Sequence, residues 1–114
     1  MPASDIDELV RRLIAVLGPT LVSTLAGSRD TQAAVSWDGN GRDLDVETIA
    51  RLECAEAVWR QVSDAEGDHL ARVWFIGANP FLRGEDTVIT AIREGRFDEV
   101  AGAAQAFVDG SFTG

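Results

Sequence analysis

Apolar residues recur every three or four positions through most of this 114-residue chain. This spacing places them on one face of a helix, whereas a half-buried strand would alternate apolar and polar residues. In the clearest segment, a Ser4-x-x-Asp7 capping pattern precedes the apolar run and Gly18-Pro19 follows it. The apolar positions of this first helix are Ile6, Leu9, Val10, Leu13, Ile14 and Leu17. The sequence therefore predicts an all-α fold.

Similar spacing predicts five or six further helices. They cover residues 20–26, 28–37 (capped by Ser28), 45–62, a stretch around 70–74, and two segments that end at Gly95 and Gly110. Residues 38–41 are rich in turn-forming residues and predict a loop, and residues 63–68 form a polar linker. We therefore predict a helix-turn-helix-like part over residues 1–65 and a second small helical part over residues 66–114.

Charge and cysteine content limit the possible partners. Nineteen acidic residues against ten basic ones, all arginine, give a net charge of −9. Such a chain repels nucleic acid at long range, so a protein partner is favoured over DNA for the free monomer. One cysteine excludes an internal disulfide, and the acidic, periodic N-terminus is unlike a signal peptide or a membrane span. We expect a cytoplasmic protein that does not enter membranes.

Few residues predict catalysis. His69 beside Asp68 could act as a general base, and Cys54 could act as a nucleophile, but Cys54 has no basic neighbour that would stabilise a thiolate. Asp43, Asp45 and Glu47 lack the glycine and closing glutamate of a helix-loop-helix calcium site, so they are interpreted as a solvated helix N-terminus. We expect no enzyme activity, no metal and no cofactor.

The two short helices on either side of Gly27 have the dimensions of a helix-turn-helix. The second helix would offer Arg29, Thr31, Gln32 and Ser36 to the major groove. The same pattern also occurs as plain core structure, and basic residues are sparse here. We therefore expect DNA contact only from an assembly that presents several copies of the element.

The stretch "VWFIGANPFLRGE" groups large apolar residues around an Asn79-Pro80 break, which cannot continue a helix. Residues 73–112 resemble the toxin-binding domain of the Xre/MbcA/ParS antitoxins, the partners of RES-domain toxins. The matching positions are Trp74, Asn79, Pro80, Leu82, Gly84, Gly95, Phe97, Val100, Gly110 and Phe112. Asp86-Thr87-Val88 stands where the family usually has a proline, and the first half resembles the family's degenerate helix-turn-helix in layout.

The resemblance implies an antitoxin that binds a RES-domain, NAD-degrading toxin in a hetero-oligomer, with operator DNA as a partner of the complex. In this interpretation Trp74, Phe75, Phe81 and Leu82 close a small helical domain. The C-terminal end covers the toxin's NAD pocket through Phe107, Asp109, Gly110, Ser111, Phe112, Thr113 and Gly114. From the residues alone, a frayed terminus is the favoured interpretation of this end, and only the resemblance favours the cover. The alternative function is a helix-turn-helix transcription regulator whose primary role is DNA binding.

Overall fold

The computed structural model describes residues 3–30, 32–37 and 44–113, except the side chains of residues 3–5, 36 and 111–113. Seven α-helices and no strand occur in this part of the chain, which confirms the all-α prediction. The helices are α1 (Ala3–Leu17), α2 (Pro19–Leu25), α3 (Ala33–Trp37), α4 (Val46–Glu66), α5 (Asp68–Ile76), α6 (Val88–Arg93) and α7 (Phe97–Thr113). The predicted loop at residues 38–41 lies outside the described residues.

The long helix α4 organises the core, because it contacts α1, α2, α5, α6 and α7. Buried apolar side chains from both halves of the chain belong to one cluster, for example Leu13, Val22, Leu52, Phe75 and Val100. The division into residues 1–65 and 66–114 stays a prediction. A residue in either half can therefore affect the stability of the shared core.

The start of α3 differs from the prediction. The helix begins at Ala33, not at Ser28, because two side chains hold the preceding residues in a turn. The Ser28 hydroxyl accepts a hydrogen bond from the Asp30 N–H at 3.0 Å, and the Asp30 carboxylate accepts one from the Gln32 N–H at 2.9 Å. Such local bonds compete with helix formation. The result is a helix of only five residues.

Two other helices are longer than predicted. Helix α4 continues through Ser63 to Glu66, so most of the predicted linker is helical, and it ends at Gly67 with a φ of +89°. Polar residues do not stop a helix whose last turn faces solvent, whereas the glycine accommodates the left-handed conformation at its end. Helix α7 passes through Gly110 to Thr113, since a glycine weakens a helix without necessarily ending it.

Two arginines distant in sequence hold the turn after α2. Arg93 Nη1 donates to the carbonyl oxygens of Thr24 at 2.9 Å and Ser28 at 3.1 Å, and Arg51 Nη1 donates to that of Ala26 at 3.4 Å. Cationic donors are favourable at carbonyl groups that a helix end leaves without partners. These contacts fasten the turn to α4 and α6.

Gly27 lies in the same turn and has a φ of +96°, and an added Cβ would lie 3.0 Å from Arg51 Nη1. We expect Gly27→Ala to lower the free energy of unfolding by about 1–2 kcal/mol, because a Cβ is disfavoured in this backbone conformation. Denaturant unfolding followed by circular dichroism measures the change.

Gly102→Ala is the matched control, because Gly102 lies exposed inside α7 with no heavy atom within 4 Å of an added Cβ. This change should raise stability by up to about 1 kcal/mol, as alanine is the better helix former. A Gly27→Ala protein as stable as the wild type would contradict the strain assigned to the turn.

Candidate partner-binding site

The turn between α5 and α6 is built around Asn79, whose residue surface is 3% exposed. Its side-chain oxygen accepts a hydrogen bond from the Phe81 N–H at 2.9 Å, and its backbone carbonyl oxygen accepts one from the Leu82 N–H at 3.1 Å. Its own N–H donates to the Asp86 carbonyl oxygen at 3.1 Å. This bonding matches the known ability of asparagine to organise turns. The predicted break at Asn79-Pro80 is confirmed as an ordered turn.

Phe81 does not occupy the predicted position. Trp74, Phe75 and Leu82 are buried as expected, but Phe81 is 54% exposed. The Asn79 turn accounts for the difference, because it sends two consecutive side chains, Phe81 and Leu82, in different directions. Phe81 is therefore available for contact.

Ion pairs fasten the end of this turn to α7. Arg83 donates to Glu99 from its backbone N–H at 3.0 Å and from its guanidinium at 2.9 Å. These hydrogen bonds lower the pKa of Glu99 below its usual value. Arg96, whose side chain is only 15% exposed, pairs with Asp86 at 2.6 Å. Charge-assisted bonds of this kind fix geometry, so they hold the turn in a defined position on α7.

An apolar hollow of about 280 Å³ lies between α5, the Asn79 turn and α7. Its lining consists of Val73, Trp74, Gly77, Ala78, Asn79, Pro80, Phe81 and Phe107. The rings of Trp74 and Phe107 are 6.2 Å apart. The buried indole N–H of Trp74 meets no acceptor among the described residues, although such a donor usually has one. The hollow is thus lined by rigid aromatic and backbone surfaces from three elements.

The predicted partner-binding residues separate into three groups. Phe107 is half-buried at the hollow, whereas Asp109 and Gly110 are exposed on α7. Ser111, Phe112 and Thr113 continue the helix, but their side chains and all of Gly114 lie outside the described residues. The predicted tail is therefore helical as far as Thr113. Of its members whose side chains are described, Phe107 lines the hollow.

The predicted DNA-binding residues are not grouped on one helix. Arg29 and Gln32 precede α3, and Gln32 Nε2 donates to the Thr20 hydroxyl oxygen at 3.3 Å. Thr31 and the side chain of Ser36 lie outside the described residues. Arg29 and Gln32 therefore lie before α3 and not on it. Their contact with DNA stays a prediction.

Cys54, the candidate nucleophile, and Asp45, a candidate calcium ligand, have structural explanations. Burial raises the pKa of the Cys54 thiol to about 11, so it is protonated at neutral pH and is a weak nucleophile. Asp45 caps α4 by accepting from the Thr48 N–H at 2.8 Å, and hydrogen bonds with the side chain and then the backbone of Thr48 lower the pKa of Asp45. Asp43 lies outside the described residues. Within the described ranges, no group of three His, Cys, Asp or Glu side chains could hold a metal ion.

None of the described helices combines the length and apolar character needed to cross a membrane. No family model, curated protein or solved structure matches this chain. The resemblance to the antitoxin family therefore stays a prediction from the pattern within residues 73–112.

Proposed function

We propose that this protein is the antitoxin of a type II toxin-antitoxin system and that it neutralises a RES-domain, NAD-degrading toxin. The observation that carries the proposal is the antitoxin-like pattern around the Asn79-Pro80 turn, whose residues have specific positions in the α5–α7 region. Leu82 and Val100 are buried, and Gly84 and Gly95 have φ values of +67° and +77°. Burial and positive φ values restrict which residue types these positions accept, and this restriction is a physical reason for the spacing of the pattern.

The site supports binding more than chemistry. The hollow presents apolar and aromatic surface, and aromatic residues are frequent anchors in protein interfaces. The chain's charge of −9 favours a partner with basic groups around the contact. A RES-domain toxin that binds the anionic dinucleotide NAD would offer such groups at its pocket.

Inhibition in this proposal comes from covering the pocket. The last turn of α7, residues 110–113, follows the half-buried Phe107 and is preceded by the exposed carboxylate of Asp109. Placed over the NAD pocket, this helix end would exclude the substrate by occupying its volume. No bond is made or broken, so the protein acts by association alone.

DNA binding enters the proposal only as a secondary property of the complex. Helix α3 has five residues, and Arg29 and Gln32 precede it. These facts favour a structural role for the α2–α3 element in the free chain over a role in DNA recognition. Operator DNA would accordingly need several copies of the element in one assembly.

The test is co-production with a RES-domain protein, taken from the adjacent reading frame if that frame encodes one. Cells that produce that protein alone should lose NAD and stop growing, and cells that also produce this chain should keep both NAD and growth. The two proteins should co-purify through size exclusion. Continued NAD loss in the presence of this chain, or separate elution of the two folded proteins, would contradict the proposed function.

A further inference from the structure

Large apolar side chains are exposed mainly in one region. Six such residues are exposed in the described part of the chain, and four of them lie between positions 70 and 81. Leu70, Val73 and Ile76 are 43%, 47% and 49% exposed, and Phe81 is 54% exposed. We call these four residues the α5 patch. The other two, Val35 and Val46, lie on α3 and at the start of α4.

The α5 patch is not needed for the core. Leu70, Val73 and Ile76 recur every three residues on α5, while the other face of the same helix buries Ala71, Trp74 and Phe75. The exposed side of α5 therefore carries these three apolar side chains beside the exposed Asp68, His69 and Arg72, although a surface helix usually has a polar outer face. A cluster of exposed apolar side chains commonly marks an interaction surface.

We propose that the α5 patch is the face on which the toxin docks, separate from the helix end that covers its pocket. This inference rests on the proposed function and assigns binding and inhibition to different residues. The matching toxin surface is apolar at its centre and basic at its edge. Docking holds the toxin, and the end of α7 blocks it.

Continuity with the hollow supports a single partner for both regions. Val73 and Phe81 belong to the α5 patch and also line the hollow, where Phe107 of α7 completes the wall. Three residues separate Phe107 from Ser111, which belongs to the end of α7 that is proposed to cover the NAD pocket. A protein seated on the patch therefore also lies beside the end of α7.

Charge favours the toxin over a second copy of this chain. Two copies would each carry −9, and a net charge far from zero opposes self-association. A second copy on the patch would also cover the hollow that adjoins the end of α7, so it would compete with the toxin. Arg72, also exposed on α5, donates to the Val16 carbonyl oxygen at 2.8 Å, so its guanidinium already has a partner within the fold.

A matched pair of double variants tests the assignment. Val73→Gln with Ile76→Gln makes the patch polar without breaking α5, because glutamine is a good helix former. Val35→Gln with Val46→Gln makes a similar apolar-to-polar change at the two exposed positions outside the patch. The probe is the same purified RES-domain protein that is used to test the proposed function, and titration by surface plasmon resonance gives the dissociation constants.

We expect the patch variant to bind at least about tenfold more weakly and the control variant to bind as the wild type does. Circular dichroism and melting must match the wild type, and Phe81→Ser serves as a second patch variant should the double variant unfold. Equal binding by wild type and patch variants would overturn the docking face alone. Dimers of the isolated wild type that the patch substitutions disperse would also overturn it.

The experiment separates this inference from the proposed function. A wild-type chain that fails to bind the RES-domain protein would overturn the proposed function and, with it, the partner assigned to the patch. A wild-type chain that binds and inhibits, beside a patch variant that binds weakly yet inhibits at saturating concentration, supports both. That last result distinguishes the two roles, because a substitution in residues 110–113 would lower inhibition even at a saturating concentration of this protein.

Discussion

Replacing Phe75 with alanine is expected to lower the free energy of unfolding by about 3–5 kcal/mol, the usual cost of removing a large buried ring. Phe75 is fully buried, and the centroid of its ring lies 5.7 Å from that of Trp59 and 5.5 Å from that of Trp74, both in edge-to-face geometry. The substitution removes both aromatic contacts and leaves a cavity between α4 and α5. Because domains of this size have stabilities of about 5–15 kcal/mol, a large part of the helical signal should be lost on mild heating.

Phe81→Ala is the matched control, since it removes the same side chain six residues further along the chain. Phe81 is 54% exposed, so its loss should change the free energy of unfolding by less than about 1 kcal/mol. Urea unfolding followed by circular dichroism and tryptophan fluorescence gives both values. Similar unfolding midpoints for the two variants would contradict the burial that distinguishes the two rings.

The comparison of these two phenylalanines shows what the sequence could predict. Helix periodicity places residues on helices, and the positions of α1, α2 and α6 follow from it closely. It does not determine which apolar residue after Pro80 turns inward. That choice depends on the hydrogen bonds of the buried Asn79, which exist only once the turn has folded against the core.

Helix ends were less predictable than helix positions. Ser28 is a good cap by type, yet its hydroxyl bonds within a turn and α3 starts at Ala33. Gly110 is a common end residue by type, yet α7 continues through it. In both cases, the residue type allows two local structures and the surrounding chain selects one.

The candidate site was partly predictable. The pattern around Asn79 and Pro80 pointed to the correct turn, because its residue types restrict the backbone strongly. The hollow itself was not predictable, since Phe107 reaches Trp74 only once α5 and α7 have both packed on α4. The bonds from Arg93 to the turn after α2 join residues 69 and 65 positions apart, and no local pattern records them.

Removal of residues 110–114 should separate toxin inhibition from toxin binding. Among the described side chains, those of α7 that pack on the core lie before this segment: Val100, Ala103 and Ala104 are buried, and Phe107 packs at the hollow. The truncated protein should therefore keep its fold, and terminal segments seldom carry core packing. Its α5 patch should still hold the toxin.

The expected result is a complex that persists in a pull-down but again consumes NAD, at a rate close to that of the free toxin. Phe112→Ala should give a partial effect, as an aromatic anchor buried at an interface commonly contributes about 2 kcal/mol or more. The Gly102→Ala protein, which changes α7 only on its exposed middle, is the control and should inhibit fully. NAD depletion by the purified complexes measures all three.

A truncated complex that stays assembled and fully inhibited would show that inhibition does not come from the helix end. The toxin would then have to be blocked by the surface around the hollow or be held in an inactive assembly.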